Sequence, residues 1–173
     1  MGGDTTLRER LRARSPGALE LTSSCFGHGG RIPTEHTLDG LNVSPDLSWD
    51  TPPEGTRSFA LVCEDPDAPT SKPFVHWVLF DLPARFTELP EGVLKDAKPR
   101  DLSGASQGTN DFGHFGYDGP APPPRHGTHH YHFQIFALDR FLDLHAGCRK
   151  ADVMRAMKGH VLAQGELIGT YSR

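Results

Sequence analysis

Asp65 and Asp67 flank a proline in the run Asp65-Pro66-Asp67-Ala68-Pro69, and a lone imidazole, His76, follows within an otherwise apolar stretch. Carboxylate and imidazole can exchange a proton, share a hydrogen bond, or bind a ligand together. Proline fixes φ near −65° and biases the preceding residue towards extended backbone, so this turn holds its carboxylates in few conformations. A histidine among hydrophobes needs a hydrogen-bond partner or a cavity, because an unpaired buried polar group is costly. A second concentration lies downstream, where Gly119-Pro120 and the prolines at 122–124 precede His126, His129, His130 and His132.

These residues need strands to position them. Residues 59–63 and 74–82 are short apolar runs rich in aromatic and β-branched side chains, bounded by Pro and Asp, and they read as two strands. Period-2 alternation puts Phe74, His76, Val78 and Phe80 on one face of the second, and Val75, Trp77 and Leu79 on the other. Both faces are apolar, so the strand is expected deep in a sheet covered on both sides. Residues 128–138 form the next clear strand, with His129, Tyr131, Phe133 and Ile135 on one face and His130, His132, Gln134 and Phe136 on the other. His129 and Tyr131 then lie about 7 Å apart on the same side.

Elsewhere, residues 18–26 read as a first strand, 47–49 as a short one, and 85–89 and 93–97 as weak ones. Residues 103–115, rich in Gly, Ser, Asn and Asp, read as a long functional loop. Val153, Met154, Met157, Val161 and Leu162 follow helical spacing, which predicts a helix over 151–163 with Gly165 just past its end. A short strand, 166–171, closes the chain. The fold class expected is all-β, an antiparallel sandwich with one C-terminal helix.

The 173 residues suit one domain, placed at 18–173, after a charged tail over 1–17. With 19 Gly and 15 Pro the chain has many turns, and its net charge of −4 offers no basic footprint for nucleic acid. Cys25, Cys63 and Cys148 are irregularly spaced and read as reduced thiols. No apolar stretch suggests a leader or a membrane span, so the expected location is the cytoplasm.

The ordered set of Asp65–Pro69, the strand around His76, and the segment from Gly116 to Phe133 resembles the phosphatidylethanolamine-binding protein family. It is most similar to the bacterial and archaeal, Raf-kinase-inhibitor-like branch. Asn42-Val43-Ser44-Pro45 and the closing Gly165–Tyr171 segment extend the match to nearly all of the chain after residue 18. The resemblance implies a large central sheet covered by a smaller one, and a cavity that takes phosphate or a phosphorylated head group. Carried over by motif position, its ligand-binding residues are Asp65, Asp67, His76, Gly119, Pro120, His129 and Tyr131. An aspartate that orients His76 would favour the imidazolium, which suits an anion. Bacterial relatives imply a homodimer, and the family implies a modulatory role through a protein partner.

The function expected is binding of a small anionic ligand. The alternative is an acid–base enzyme using the same Asp/His pocket, although no G-x-S-x-G elbow marks a serine nucleophile. Among His126, His129, His130 and His132 no third ligand stands at a helpful spacing, so no metal and no cofactor is expected.

Overall fold

The computed structural model describes residues 17–173. The tail expected over 1–17 lies outside the described residues except for Gly17, which opens the first strand. Nine strands follow in order: β1 (Gly17–Ala18), β2 (Leu21–Thr22), β3 (Leu47–Trp49), β4 (Ser58–Asp65), β5 (Phe74–Pro83), β6 (Glu88–Leu89), β7 (Ser106–Gln107), β8 (His129–Leu138) and β9 (Val161–Tyr171). A single α-helix among the described residues, α1 (Lys150–Met157), precedes β9, and a 3-10 turn spans Thr34–His36.

The large sheet runs β1-β9-β8-β4-β5-β7 and the small one β2-β3-β6. Every pairing is antiparallel except β1 with β9. The expected all-β sandwich with one helix is the observed fold. All eight residues of β4 are buried, because both faces of the central sheet are covered. Phe59, Leu61 and Cys63 pack with Leu21, Leu47, Trp49 and Leu89 in the core between the sheets. On the opposite face Ala60 and Val62 join Val153 and Met157 of the helix. Lys150, at the helix start, reaches the buried Glu64 at 2.7 Å and ties that layer to β4.

The structure corrects several sequence expectations. The helix stops at Met157 rather than at residue 163, and Gly159, at φ +82°, turns the chain into β9. Val161 and Leu162 continue the helical spacing of Met157 by coincidence and belong to the strand. Gly165 is therefore no helix cap. It sits mid-strand where a Cβ would lie 2.2 Å from the Leu19 carbonyl oxygen, so only glycine lets the crossing chain approach. The single strand expected at 18–26 is two short pieces in different sheets. Of the two weak strands only Glu88–Leu89 forms, and β7 pairs inside the stretch expected to be loop.

The most consequential correction concerns β5. Cys63 pairs with Trp77 but Glu64 pairs with Val75, so His76 is the extra residue of a β-bulge. A bulge breaks simple alternation. Trp77 and Leu79 pack in the inter-sheet core, while Val75 joins Val78 and Phe80 in the helix-side core. Val75 therefore faces away from Trp77, against the expected alternation. A second register shift near the other end of β5 coincides with Asp81, at φ +56°. Its carboxylate accepts from Leu142 N–H and Asp143 N–H. Each irregularity thus brings one polar side chain out of an apolar strand.

Candidate functional site

Three neighbouring strands, β8, β4 and β5, bring His129, Tyr131, Asp65 and His76 to one end of the large sheet. They line a cavity of about 210 Å³ with Ala68, Pro69, Thr70, Phe74, Phe112 and the run Ala121-Pro122-Pro123. The stiff turn after Asp65 supplies one wall, and the proline loop after Gly119 supplies another. Most of this lining is apolar, with a few polar groups converging, as ligand cavities commonly are.

His76 is 3% exposed and its Nδ1 lies 2.7 Å from the Asp118 carbonyl oxygen. A carbonyl only accepts, so Nδ1 carries the proton and Nε2 remains the ring's acceptor. Burial lowers the His76 pKa, against the opposing pull of that hydrogen bond and of the Asp65, Asp118 and Asp111 charges. The ring is neutral at pH 7, contrary to the imidazolium expected from sequence. The reason is geometric: Asp65 orients His129 instead. Its Oδ2 lies 2.7 Å from His129 Nδ1, and its Oδ1 accepts the Asp67 N–H at 2.8 Å.

His129 passes the interaction on, with its Nε2 2.7 Å from Nδ1 of the exposed His126. A hydrogen-bonded line therefore runs from a buried carboxylate through a buried imidazole to solvent. Tyr131, 1% exposed, meets His76 edge-on with ring centroids 5.2 Å apart. Its hydroxyl is buried with no hydrogen-bond partner. Burial, reinforced by the nearby Asp65 charge, raises its pKa, so it stays a protonated donor.

Three expected residues stand behind the lining. Asp67 accepts from the backbone and ring of His130 at 2.8 and 2.7 Å, on the outer side of β8. Gly119 and Pro120 anchor the proline loop: Gly119 N–H donates to Asn42 Oδ1, and the Pro120 carbonyl accepts from Leu38 N–H. His132 pairs with Glu166 at 3.2 Å, on the face opposite Tyr131, as alternation along β8 requires.

Sequence reasoning missed the residue that organises this support, Asp118. Its carboxylate accepts from Asn42 and Asn110 at 2.8 Å, contacts His114 Nδ1 at 2.8 Å, and its carbonyl holds His76. Burial opposes its ionisation, but the Asn110, Asn42 and His114 hydrogen bonds outweigh it and leave the pKa lowered. The signal available was its place directly before Gly119-Pro120. Phe112 was also missed, although it lies in the stretch expected to be a functional loop.

A family model described as phosphatidylethanolamine-binding protein matches residues 22–172. A UPF0098 protein of Methanothermobacter thermautotrophicus is 48% identical over 155 residues, covering 90% of this chain and 99% of its own length. The UPF0098 protein YbhB of Escherichia coli is 38% identical over 89% of this chain and 100% of its own. The crystal structure of E. coli YbcL, described as a member of the mammalian PEBP family, superposes with a TM-score of 0.84 at 34% identity. That match covers 91% of this chain and 99% of YbcL. The chain belongs to the phosphatidylethanolamine-binding protein family, in the bacterial and archaeal branch that includes YbhB and YbcL.

Proposed function

We propose that the cavity binds a small anionic ligand, with a phosphate group, free or on a head group, as the part it recognises. The observation that carries this reading is the Tyr131 hydroxyl, a buried donor without a partner on the cavity wall. Buried polar groups are nearly always satisfied, and a phosphate oxygen would satisfy this one. The family's name, phosphatidylethanolamine-binding, supports the same ligand chemistry. His76 contributes its Nε2, which accepts a hydrogen bond from a protonated phosphate oxygen or takes up a proton when a dianion arrives. Free Cys25, Cys63 and Cys148 agree with a reducing, cytoplasmic setting. Among the described residues no helix is long and apolar enough to cross a membrane.

The sign of the pH dependence follows from the lowered His76 pKa. In the free protein a depressed pKa means that this group's contribution to stability is present above pH 6.5 and lost as pH falls through the lowered value. Binding a dianion acts in the opposite sense and raises the pKa. Affinity should therefore fall with rising pH, by about tenfold per unit where the complex holds one more proton than its parts. Calorimetric titration of inorganic phosphate and phosphoethanolamine at pH 6 and pH 8 checks this, and absence of binding at both would sink the reading. Tyr131→Phe should weaken phosphate by about tenfold. It should leave thermal stability unchanged or raised, since it removes an unsatisfied group. Equal affinity in the variant would mean that the hydroxyl does not meet the ligand.

One observation favours acid–base catalysis in the same cavity: the Asp65–His129–His126 line could move a proton to solvent. His126→Ala leaves the cavity lining intact, so unchanged phosphate binding in that variant is expected of a binding site. Its effect on any turnover would report the proton path.

A further inference from the structure

We propose that Glu35, His36 and Glu91 form a divalent metal site with one imidazole and two carboxylate ligands, apart from the anion cavity. One ligand atom from each of the three lies within 4.8 Å of the other two. Carboxylates in proximity would by themselves mean little. The decisive group is His36, which is 0% exposed. Its Nδ1 lies 2.9 Å from the Val43 carbonyl and must donate to it, which leaves the lone pair on Nε2. That Nε2 is buried and has no hydrogen-bond partner.

The nearest carboxylate oxygen to Nε2 among the described residues is Glu35 Oε1, 3.5 Å away. Lone pair against carboxylate is repulsive, so something positive belongs between them. A proton is the simplest candidate, but an imidazolium paired with a carboxylate closes to about 2.7–2.9 Å. Most other histidine–carboxylate pairs among the described residues are as close, with His129–Asp65 and His130–Asp67 at 2.7 Å and His114–Asp118 and His160–Asp139 at 2.8 Å, while His132–Glu166 stands at 3.2 Å. A metal gives a different spacing. Bonds of about 2.0–2.2 Å to nitrogen and oxygen in a tetrahedral site set neighbouring ligand atoms roughly 3.4 Å apart. The His36–Glu35 separation matches that edge. An imidazole whose other nitrogen donates to a backbone carbonyl is also how metal-bound histidines are commonly held.

The backbone prepares these groups. Glu35 and His36 sit on the 3-10 turn after Pro33, and Glu91 follows Pro90 in a turn completed by Gly92 at φ +71°. Val43 N–H bonds Glu35 O at 3.4 Å, and Gly92 N–H bonds Ser44 O at 2.9 Å, so both segments hang on the same stretch of chain. Both glutamates are exposed, which leaves the remaining coordination positions to water. A nitrogen ligand with two oxygens favours Zn²⁺, Co²⁺ or a similar first-row ion over Mg²⁺ or Ca²⁺. The Tyr117 hydroxyl donates to the His36 carbonyl at 2.6 Å, so an ion here would brace the chain behind the Gly119 loop.

The test is titration of chelator-treated protein with Zn²⁺ by calorimetry and with Co²⁺ by visible absorption. One saturating equivalent is expected, with a zinc-dependent shift of the His36 Nε2 resonance. Glu91→Gln, at an exposed position that should not disturb folding, is expected to weaken zinc at least tenfold. His130→Ala, which removes an exposed histidine of the β8 cluster, is expected to leave it unchanged. Three outcomes would overturn the site: no stoichiometric binding, equal affinity in Glu91→Gln, or a His36 resonance that responds to pH but not to zinc.

Discussion

His76→Asn is expected to lower phosphate affinity by roughly 10- to 100-fold while leaving the protein folded. The asparagine amide can stand where Nδ1 stands and donate to the Asp118 carbonyl, so the buried acceptor keeps a partner. Nothing replaces Nε2. A hydrogen bond to a charged ligand contributes about 1.5–3 kcal/mol, and each 1.4 kcal/mol is tenfold in affinity. The variant should also lose the decline of affinity with rising pH, because the proton taken up with the ligand has no imidazole to sit on. His76→Ala is the harsher version, since it removes the donor to Asp118 and should cost about 1–3 kcal/mol of stability as well. Calorimetry on His76→Asn at pH 6 and pH 8 decides the matter. A variant that binds as tightly as wild type, with the same pH slope, would remove His76 from the binding site.

Gly119→Ala should produce the largest loss of stability of any methyl added near the cavity. A Cβ there would lie 2.1 Å from the His36 carbonyl oxygen, 2.9 Å from Thr37 Cα and 3.0 Å from the His36 carbonyl carbon. All three neighbours are backbone, so no side chain can swing aside. Overpacking of this kind costs about 3 kcal/mol, or roughly 6–12 °C in melting temperature for a chain of this size. Phosphate binding should weaken too, since Gly119 anchors the loop that carries Ala121–Pro123. Gly27→Ala is the control: a Cβ there meets nothing within 4 Å, and the change should stay within about 0.5 kcal/mol. Equal melting temperatures for the two variants would mean that the loop shifts freely away from His36.

Much of this was legible in the residues. The apolar runs of β4 and β5, and the alternation along β8 that separates His129 and Tyr131 from His130 and His132, follow from period-2 patterning alone. The motif order around Asp65, His76 and Gly119 gave the family. Pairings between distant residues were not legible. Asp65 lies 64 positions from His129, and strand register alone decides that it meets this histidine rather than His76. Nor does any local pattern announce that His76 is an inserted residue, because the strand is apolar on both faces and either phase of alternation buries hydrophobes. The end of the helix was missed for a similar reason: Met157 and Val161 satisfy helical spacing, and only Gly159 between them marks the break.

The bulge at His76 has an evolutionary consequence. Cys63 faces Trp77 and Glu64 faces Val75, so removing the one residue between them would close the register at this end of the strand. The hydrophobic layers on both sides would keep their occupants, while the cavity would lose its imidazole and the Asp118 carbonyl its donor. Scaffold and chemistry are therefore separable by a single codon: a plain sandwich strand could acquire this ligand-facing group by one insertion, without renegotiating the core beneath it.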